Sequence, residues 1–409
     1  MKKIILIISI LLSINFAACK KAGDDNFGRI KGEASEADGK TIAFNNAAAL
    51  KGFEDIMEAS NILNGDINAE ILQGANLIYS PYSANSVYSL LARYSKAMEN
   101  EKVFPGFPIK DLMTYELKPS LIDSRSLFLL NSEPDTHIKA LDGDGILKVV
   151  GFPDKAKKLA MDLQKEVLGE VLLEPNYNGM DLSIINATRF FGGWENEFDK
   201  DLTADDKFKT LDGEVTVPFM NQEFMGKIGY QTEYFTAVYK EAKVDKERAR
   251  VYFMVPKEVD GITNEDLYKK AIEDMVDAIT NEKYFDDRYD IVLKTPKIDL
   301  TSNIDLLKTM EASGRDFVKK DFAVDQNVQN PSDESYRTRS IKQVAKLKID
   351  EKKVEAKAVT ILEGDKAEAP LDNEKFLEVI CDKPYFIIIT SPSVDGELIT
   401  FMALITNPQ

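Results

Sequence analysis

Histidine is almost absent from this chain: His137 stands alone among 409 residues, and the cysteines number two, Cys19 and Cys381. Ser-His-Asp and Cys-His hydrolases need an imidazole beside the nucleophile, so His137, in the polar stretch Glu133 to His137, would have to serve every purpose. No GxSxG, HExxH or phosphate-cradling glycine loop accompanies it. The usual zinc ligand sets are missing too, so no metal and no cofactor is expected. Two cysteines far apart offer no disulfide framework. Cys381, in an apolar strand-like stretch, reads as a small core residue. Positive charge is in deficit as well, with 52 Lys and Arg against 69 Asp and Glu and a net charge of -17. Such a chain repels a polyanion, which excludes nucleic acid as a partner.

An export signal is present. Lys2 and Lys3 precede the apolar run Ile4 to Phe16, followed by Ala17-Ala18-Cys19, and the run is too short to span a bilayer well. Cys19 resembles the invariant cysteine of the bacterial lipoprotein signal, with Phe16 where Leu is usual. That likeness implies a signal peptide over residues 1–18, an acylated Cys19 anchored in a lipid bilayer, and a flexible tether over 19–40. The expected location is the cell surface or the periplasmic side of a membrane. An ordinary secretory signal or an uncleaved anchor would also export the chain.

The folded part is expected from Thr41 to residue 409 as one domain, since no repeat or Pro/Gly/Ser linker interrupts it. Apolar residues make up 44% of the chain, enough for a substantial core. Ala43 to Leu63 and Ser83 to Ala97 have helical apolar spacing, the latter with Val87, Leu90, Leu91 and Tyr94 on one side. Between them, Asn76-Leu77-Ile78-Tyr79 predicts a short strand that turns at Ser80-Pro81 into a serine-capped helix. Leu182 to Phe191, Ala249 to Val255, Tyr289 to Leu300, Val344 to Asp350 and Tyr385 to Thr390 predict further strands, giving an α+β fold.

Several motifs then fall in a familiar order. Asn76 to Ser83 looks like an "N-hydrophobic-Ser-Pro-x-Ser" signature, and Ile184-Ile185-Asn186-Ala187 with Phe190, Gly193-Trp194 and Phe198 like "VNAIYFKGxWxxxF". Val217-Pro218-Phe219-Met220, Tyr252 to Pro256, Leu293 to Ile298 and Ile349-Asp350-Glu351-Lys352 follow, then Lys383-Pro384-Tyr385-Phe386 and Phe401-Met402 through Asn407-Pro408. Together they resemble the serpin family over most of residues 41–409. Two departures stand out: Glu99 to Gly179 lacks the family's "WV…T-x-GKI" helix, of which Met161 to Val171 would be a remnant, and Ala403 replaces a common glycine.

The resemblance implies a serpin fold, with helices packed around a large central mixed β-sheet, smaller sheets, and an exposed reactive loop. Ser80, Ser83 and Asn186 would form the hydrogen-bonding "shutter" beneath the sheet, and Trp194 would sit at the top of its opening, the "breach". Each also has a plain reading, as a buried hydroxyl or amide needing a partner or a packed aromatic ring.

Inhibitory serpins are failed substrates: a protease cuts the loop, and the loop enters the sheet as a strand before the acyl-enzyme is hydrolysed. A segment that becomes a central strand must keep charge off its core face. After Glu351, one parity is Val354, Ala356, Ala358, Thr360 and Leu362, without charge; the other holds Lys353, Glu355, Lys357, Val359, Ile361 and Glu363. Lys353 and Lys357 replace the usual glycine and alanine of the hinge, and a lysine there would slow insertion. The loop is expected over about 351–378. Counting from the hinge, the attacked bond lies near Lys366-Ala367-Glu368, where Lys366 suits a trypsin-like and Ala367 an elastase-like pocket; counting back from Lys383-Pro384, it lies near Asp372-Asn373.

The implied function is suicide-substrate inhibition of an extracytoplasmic serine or cysteine protease by a monomeric, membrane-tethered protein that is not itself an enzyme. The rival is a non-inhibitory serpin-fold surface lipoprotein that binds a partner, favoured by the two hinge lysines.

Overall fold

The computed structural model describes residues 39–95, 98, 101–104, 106–108, 112, 122–131, 145–226, 228–244, 247–281, 289–315, 321–322, 336–337, 340–354, 375–393 and 396–409. Cys19, His137, Ala356, Ala358, Thr360, Lys366, Ala367 and Glu368 lie outside the described residues.

The described helices are α1 (Gly39–Ser60), α2 (Pro81–Tyr94), α3 (Asp154–Leu168), α4 (Asn264–Asn281) and α5 (Leu306–Ala312). Strands, numbered along the chain, make one long ladder in the order β19 (Lys353–Val354), β8 (Gly192–Trp194), β12 (Phe235–Val244), β13 (Glu247–Pro256), β21 (Tyr385–Ser393), β22 (Gly396–Ile405), β2 (Leu77–Tyr79), with β11 (Gly229–Gln231) beside β12. A four-stranded sheet runs β20 (Lys375–Ile380), β14 (Tyr289–Pro296), β10 (Glu214–Gly226), β9 (Ala204–Lys209). Two three-stranded sheets are β6 (Leu147–Val149), β5 (Ile122–Leu130), β7 (Leu182–Phe190) and β1 (Leu72–Gln73), β15 (Ile298–Asp305), β18 (Lys342–Ile349). Two small ladders pair β3 (Lys102–Phe104) with β4 (Phe107–Pro108) and β16 (Asp321–Phe322) with β17 (Tyr336–Arg337).

The long ladder is the middle layer. Its Phe235, Ala237, Tyr252, Met254, Phe386 and Met402 meet Phe53, Ile56, Tyr88, Ile272 and Met275 of the helices. Its other face, with Val238, Val251, Phe253 and Ile387, meets Phe219, Ile291, Leu293, Leu377 and Val379 of the four-stranded sheet. All of β22 is buried, which explains its unbroken apolar run: with both faces covered, alternation is lost.

The predicted helices and strands are present with small boundary shifts. Ser80 caps α2 with Pro81 at its first turn, as the corner motif predicts. The first described element, α1, begins at Gly39, inside the last two residues of the expected tether. Where a helix remnant was expected at Met161 to Val171, α3 packs Ala156, Ala160, Leu163 and Val167 against Leu127, Leu129 and Ala187 of β5 and β7.

One expected strand is two. Tyr289 to Leu300 breaks at Lys297, whose N–H donates to Pro218 O at 2.9 Å, and β14 and β15 enter different sheets. Inward residues change parity there, from Ile291 and Leu293 to Ile298 and Leu300, and that flip is the signature of the break. Helix α4, passed over in the sequence, buries Leu267, Tyr268, Ala271, Ile272, Met275, Val276 and Ile279 on one face.

Candidate strand-acceptor slot

Strand β7 pairs with β5 on one side and β18 with β15 on one side; among the described residues nothing pairs their other edges. Those two free edges line a cavity of about 710 Å³. Ala84, Val87, Tyr88 and Leu91 of α2 form its floor, and residues after α3, including Leu172, Leu173 and Tyr177, line its other side. Unpaired strand edges are templates for another strand, and they persist only where something covers or fills them.

The lower part of the slot is held by amides. Ser80 N–H donates to Gln343 Oε1 at 2.8 Å and Gln343 Nε2 donates to Ser80 O at 2.8 Å, which ties β18 to the start of α2. Ser80 Oγ donates to Thr400 O at 3.0 Å and accepts from Ser83 N–H at 3.2 Å. Asn186 goes elsewhere: its Nδ2 donates to Ser124 and Ser126 of β5, both at 3.0 Å, and its Oδ1 accepts from Thr188 at 2.6 Å. The expected trio is therefore split, with Ser80 and Ser83 joined under β18 and Asn186 joined to β5. Gln343 was missed, although it is a polar residue on the buried parity of a strand that continues Ala345, Leu347, Ile349.

At the upper end the chain turns. Trp194, 4% exposed, donates from Nε1 to Asp350 O at 2.9 Å and from its backbone N to Lys352 O at 3.2 Å. Its ring meets Phe198 edge-on with centroids 5.8 Å apart. Asp350 Oδ1 accepts from the N–H groups of Lys352 and Lys353 at 2.9 and 3.1 Å, and this Asx turn reverses the chain after β18. The buried Glu351 accepts from Lys297 Nζ at 2.9 Å and Thr203 Oγ1 at 3.1 Å. Burial pushes its carboxyl up, but the Lys297 and Thr203 hydrogen bonds outweigh that and hold it below the usual carboxylate range.

Beyond the turn, β19 runs antiparallel to β8, with Lys353 opposite Gly193 and Val354 opposite Gly192. On the other side, a Cβ at Gly192 would lie 3.0 Å from that of Ala242 in β12, so a larger residue would press the two strands apart. Under Trp194 sits a further missed residue, Lys240, again a polar residue on a buried parity. Its Nζ donates to Asn196 O at 2.8 Å and to Gln222 Oε1, and lies 4.3 Å from the Phe198 ring centroid and 5.5 Å from that of Trp194. Burial lowers its pKa to about 7.

The slot between two free strand edges, with a buried acidic turn and a tryptophan at one end, can be set beside known proteins. The model of the family described as Serpin (serine protease inhibitor) matches residues 166–408, more than half of the chain. The protein belongs to the serpin family. It is 25% identical over 241 residues to Serpin-ZX of Arabidopsis thaliana, covering 49% of this chain and 59% of that one. With Serpin-Z4 of the same plant it is 25% identical over 246 residues, covering 52% and 62%. The matches thus span about three fifths of these relatives' length. Among solved structures, the thermophilic serpin Tengpin in the native state has a TM-score of 0.68 at 16% identity, covering 93% of this chain and 98% of that one. Human thyroxine-binding globulin complexed with thyroxine has a TM-score of 0.66 at 16% identity, covering 90% and 99%. These likenesses establish the serpin fold, and with it the expected α+β class.

Trp194 follows β7, and Asp350 and Glu351 follow β18, so the three stand together at one end of the slot. Among the described residues no three His, Cys, Asp or Glu side chains are grouped to hold a metal, and no helix is long and apolar enough to cross a membrane. Cys381 is fully buried, and burial pushes its thiol well up.

Proposed function

We propose that this serpin is a suicide-substrate inhibitor of a serine or cysteine protease outside the cytoplasm, acting by cleavage of its reactive loop and insertion of that loop between β7 and β18. The observation that carries this reading is the direction of β19. Its pairing, Lys353 with Gly193 and Val354 with Gly192, aims the chain antiparallel to β7 at the mouth of the slot. Continued in the same register, Ala356, Ala358, Thr360 and Leu362 would fall opposite Phe190, Thr188, Asn186 and Ile184 of β7. Cross-strand partners share a face, and the even residues of β7 face the helical core, where Leu182 and Ile184 pack. The odd residues Ile185 and Ala187 face α3. The uncharged parity would therefore enter the core, and Lys353 and Lys357 would lie on the α3 side.

The chain is purified, nicked within 361–374, checked by mass, and melted beside the intact form. Burying Val354, Ala356, Ala358, Thr360 and Leu362 is worth about 5–10 kcal/mol. At roughly 2 °C per kcal/mol for a chain this long, the midpoint should rise by roughly 10–20 °C. An unchanged or lower midpoint sinks the insertion mechanism.

The second reading, a serpin-shaped binding protein without inhibition, rests on Lys353, whose backbone is held by Asp350 where a flexible residue would speed insertion. We further propose that Cys19 is acylated and tethers a monomeric domain to the membrane; Cys19→Ser should move the chain from the membrane fraction into the soluble one.

A further inference from the structure

The chain holds two Asn-Gly pairs, Asn64-Gly65 and Asn178-Gly179, and the fold treats them differently. Both asparagines and both glycines are exposed, and both glycines have positive φ, 75° at Gly65 and 68° at Gly179. In such a pair the glycine nitrogen can attack the asparagine side chain, because no Cβ on the glycine screens or stiffens its backbone. What separates the two pairs is whether that nitrogen and that side chain are already engaged.

At the first pair they are. Asn64 ends a short 3-10 turn, Ile62–Asn64; its Nδ2 donates to Asn61 Oδ1 at 2.7 Å, and Gly65 N–H donates to Ile62 O at 3.3 Å. At the second pair they are free. Asn178 and Gly179 are the central residues of a turn closed by Met180 N–H donating to Tyr177 O at 3.1 Å, with glycine where the positive φ falls. Among the described residues neither Gly179 N–H nor the Asn178 side chain makes a hydrogen bond, and a Cβ built on Gly179 would meet no atom within 4 Å.

This turn belongs to the wall of the slot, whose lining includes Tyr177, Gly179 and Asp181. It is pinned at both ends. Tyr177, 6% exposed, has its ring centroid 5.4 Å from that of Phe152, and its hydroxyl accepts from Ser183 Oγ at 2.9 Å. Asp181 O accepts from Asn131 N–H and Asp181 Oδ1 from Asn131 Nδ2, both at 2.8 Å. Leu182 then begins β7, whose free edge bounds the slot.

We propose that Asn178-Gly179 is a site of self-modification, at which the chain converts Asn178 to aspartate and isoaspartate with water as the only co-reactant. Gly179 N bonds to Asn178 Cγ, the Cγ–Nδ2 bond breaks, and ammonia leaves carrying the Gly179 proton. A five-membered imide remains. Water then opens it in one of two ways. Breaking the bond from Gly179 N to Cγ leaves aspartate; breaking the bond from Gly179 N to the main-chain carbonyl carbon leaves isoaspartate, with the chain now running through the side chain. Either product adds a carboxylate to the slot wall. Isoaspartate also lengthens the backbone by one carbon between the pins at Tyr177 and Asp181, so one pin gives way and the start of β7 is loosened. The change runs one way and ages the slot without any partner.

The full chain is aged in mildly alkaline water enriched in heavy oxygen, folded and in denaturant, then digested and read by mass for solvent oxygen at each asparagine. Isoaspartate is counted by isoaspartyl methyltransferase with labelled S-adenosylmethionine. In the folded chain Asn178 should convert severalfold faster than Asn64, and in denaturant the two should convert at similar rates. Asn178→Gln, whose longer side chain would have to close a six-membered ring, should lose the label at this position. Aged parent protein should melt below the fresh one, whereas aged Asn178→Gln should keep its midpoint.

Conversion of Asn64 as fast as Asn178 in the folded chain, or of Asn178 in denaturant alone, would overturn the assignment of the site. Full conversion of Asn178 with an unchanged midpoint would overturn its effect on β7.

Discussion

The indole of Trp194 hangs from a main-chain carbonyl, donating from Nε1 to Asp350 O at 2.9 Å, and so joins β8, which follows β7, to the turn that follows β18. The groups around it give the clearest tests.

Glu351 is the acid of that turn. Its folded pKa lies below its unfolded value, so its stabilisation is present above the ordinary carboxylate range and is lost as the pH falls through the folded pKa. Glu351→Gln should lower the melting midpoint at pH 7 and show a flatter dependence below about pH 4.5 than the parent. Lys297 is 36% exposed, so solvent screening limits the loss to about 1–2 kcal/mol. Equal acid dependence in both proteins would remove Glu351 from this role.

Lys240 is lowered too, but because burial disfavours its charged form rather than because partners favour it. Its pKa is about 7 when folded against an ordinary 10.5. Above pH 7 the unfolded chain binds a proton that the folded one does not, so stability rises with pH toward 10.5. Between pH 6 and 9 the gain should be about 2–3 kcal/mol. Lys240→Met should abolish this slope and be the more stable protein at pH 6, although it gives up the contacts with Phe198 and Trp194. Melting curves across that range decide it.

Gln343 holds both backbone groups of Ser80. Gln343→Ala leaves the buried Ser80 N–H unpaired, while Ser80 O keeps the Ala84 N–H, a loss of about 1–3 kcal/mol. The midpoint should fall by roughly 2–6 °C. Because the link between β18 and α2 is lost, amide exchange at Ser80 should also rise well beyond that of distant β13.

Lys353→Gly tests the hinge. The backbone at 353 is held by the Asp350 side chain and paired with Gly193, so added freedom acts where the chain bends into the slot. The fraction of cleaved molecules ending as covalent complex should rise severalfold on a denaturing gel. No change would favour the binding reading.

The motif-bearing part of the site was legible because its residues are neighbours in sequence: Ser80 caps the helix it precedes, and Asp350 and Glu351 build their own turn. Gln343 and Lys240 were overlooked because each looks like an ordinary polar residue until its parity is compared with its neighbours, and their partners lie 263 and 44 residues away. Asn186 has the same limit: its amide could have reached either side of β7, and only the pairing of β5 with β7 sends it to Ser124 and Ser126.

By itself the sequence determined the alternations, caps and turns, including the uncharged parity from Val354 to Leu362, because these depend on residues a few positions apart. Only the tertiary structure decided that β14 and β15 part at Lys297, that β7 and β18 keep facing edges unpaired among the described residues, and that β19 pairs with β8 with Lys353 opposite Gly193. Strand order and register are set by burial between segments far apart in the chain, a constraint that no local pattern contains.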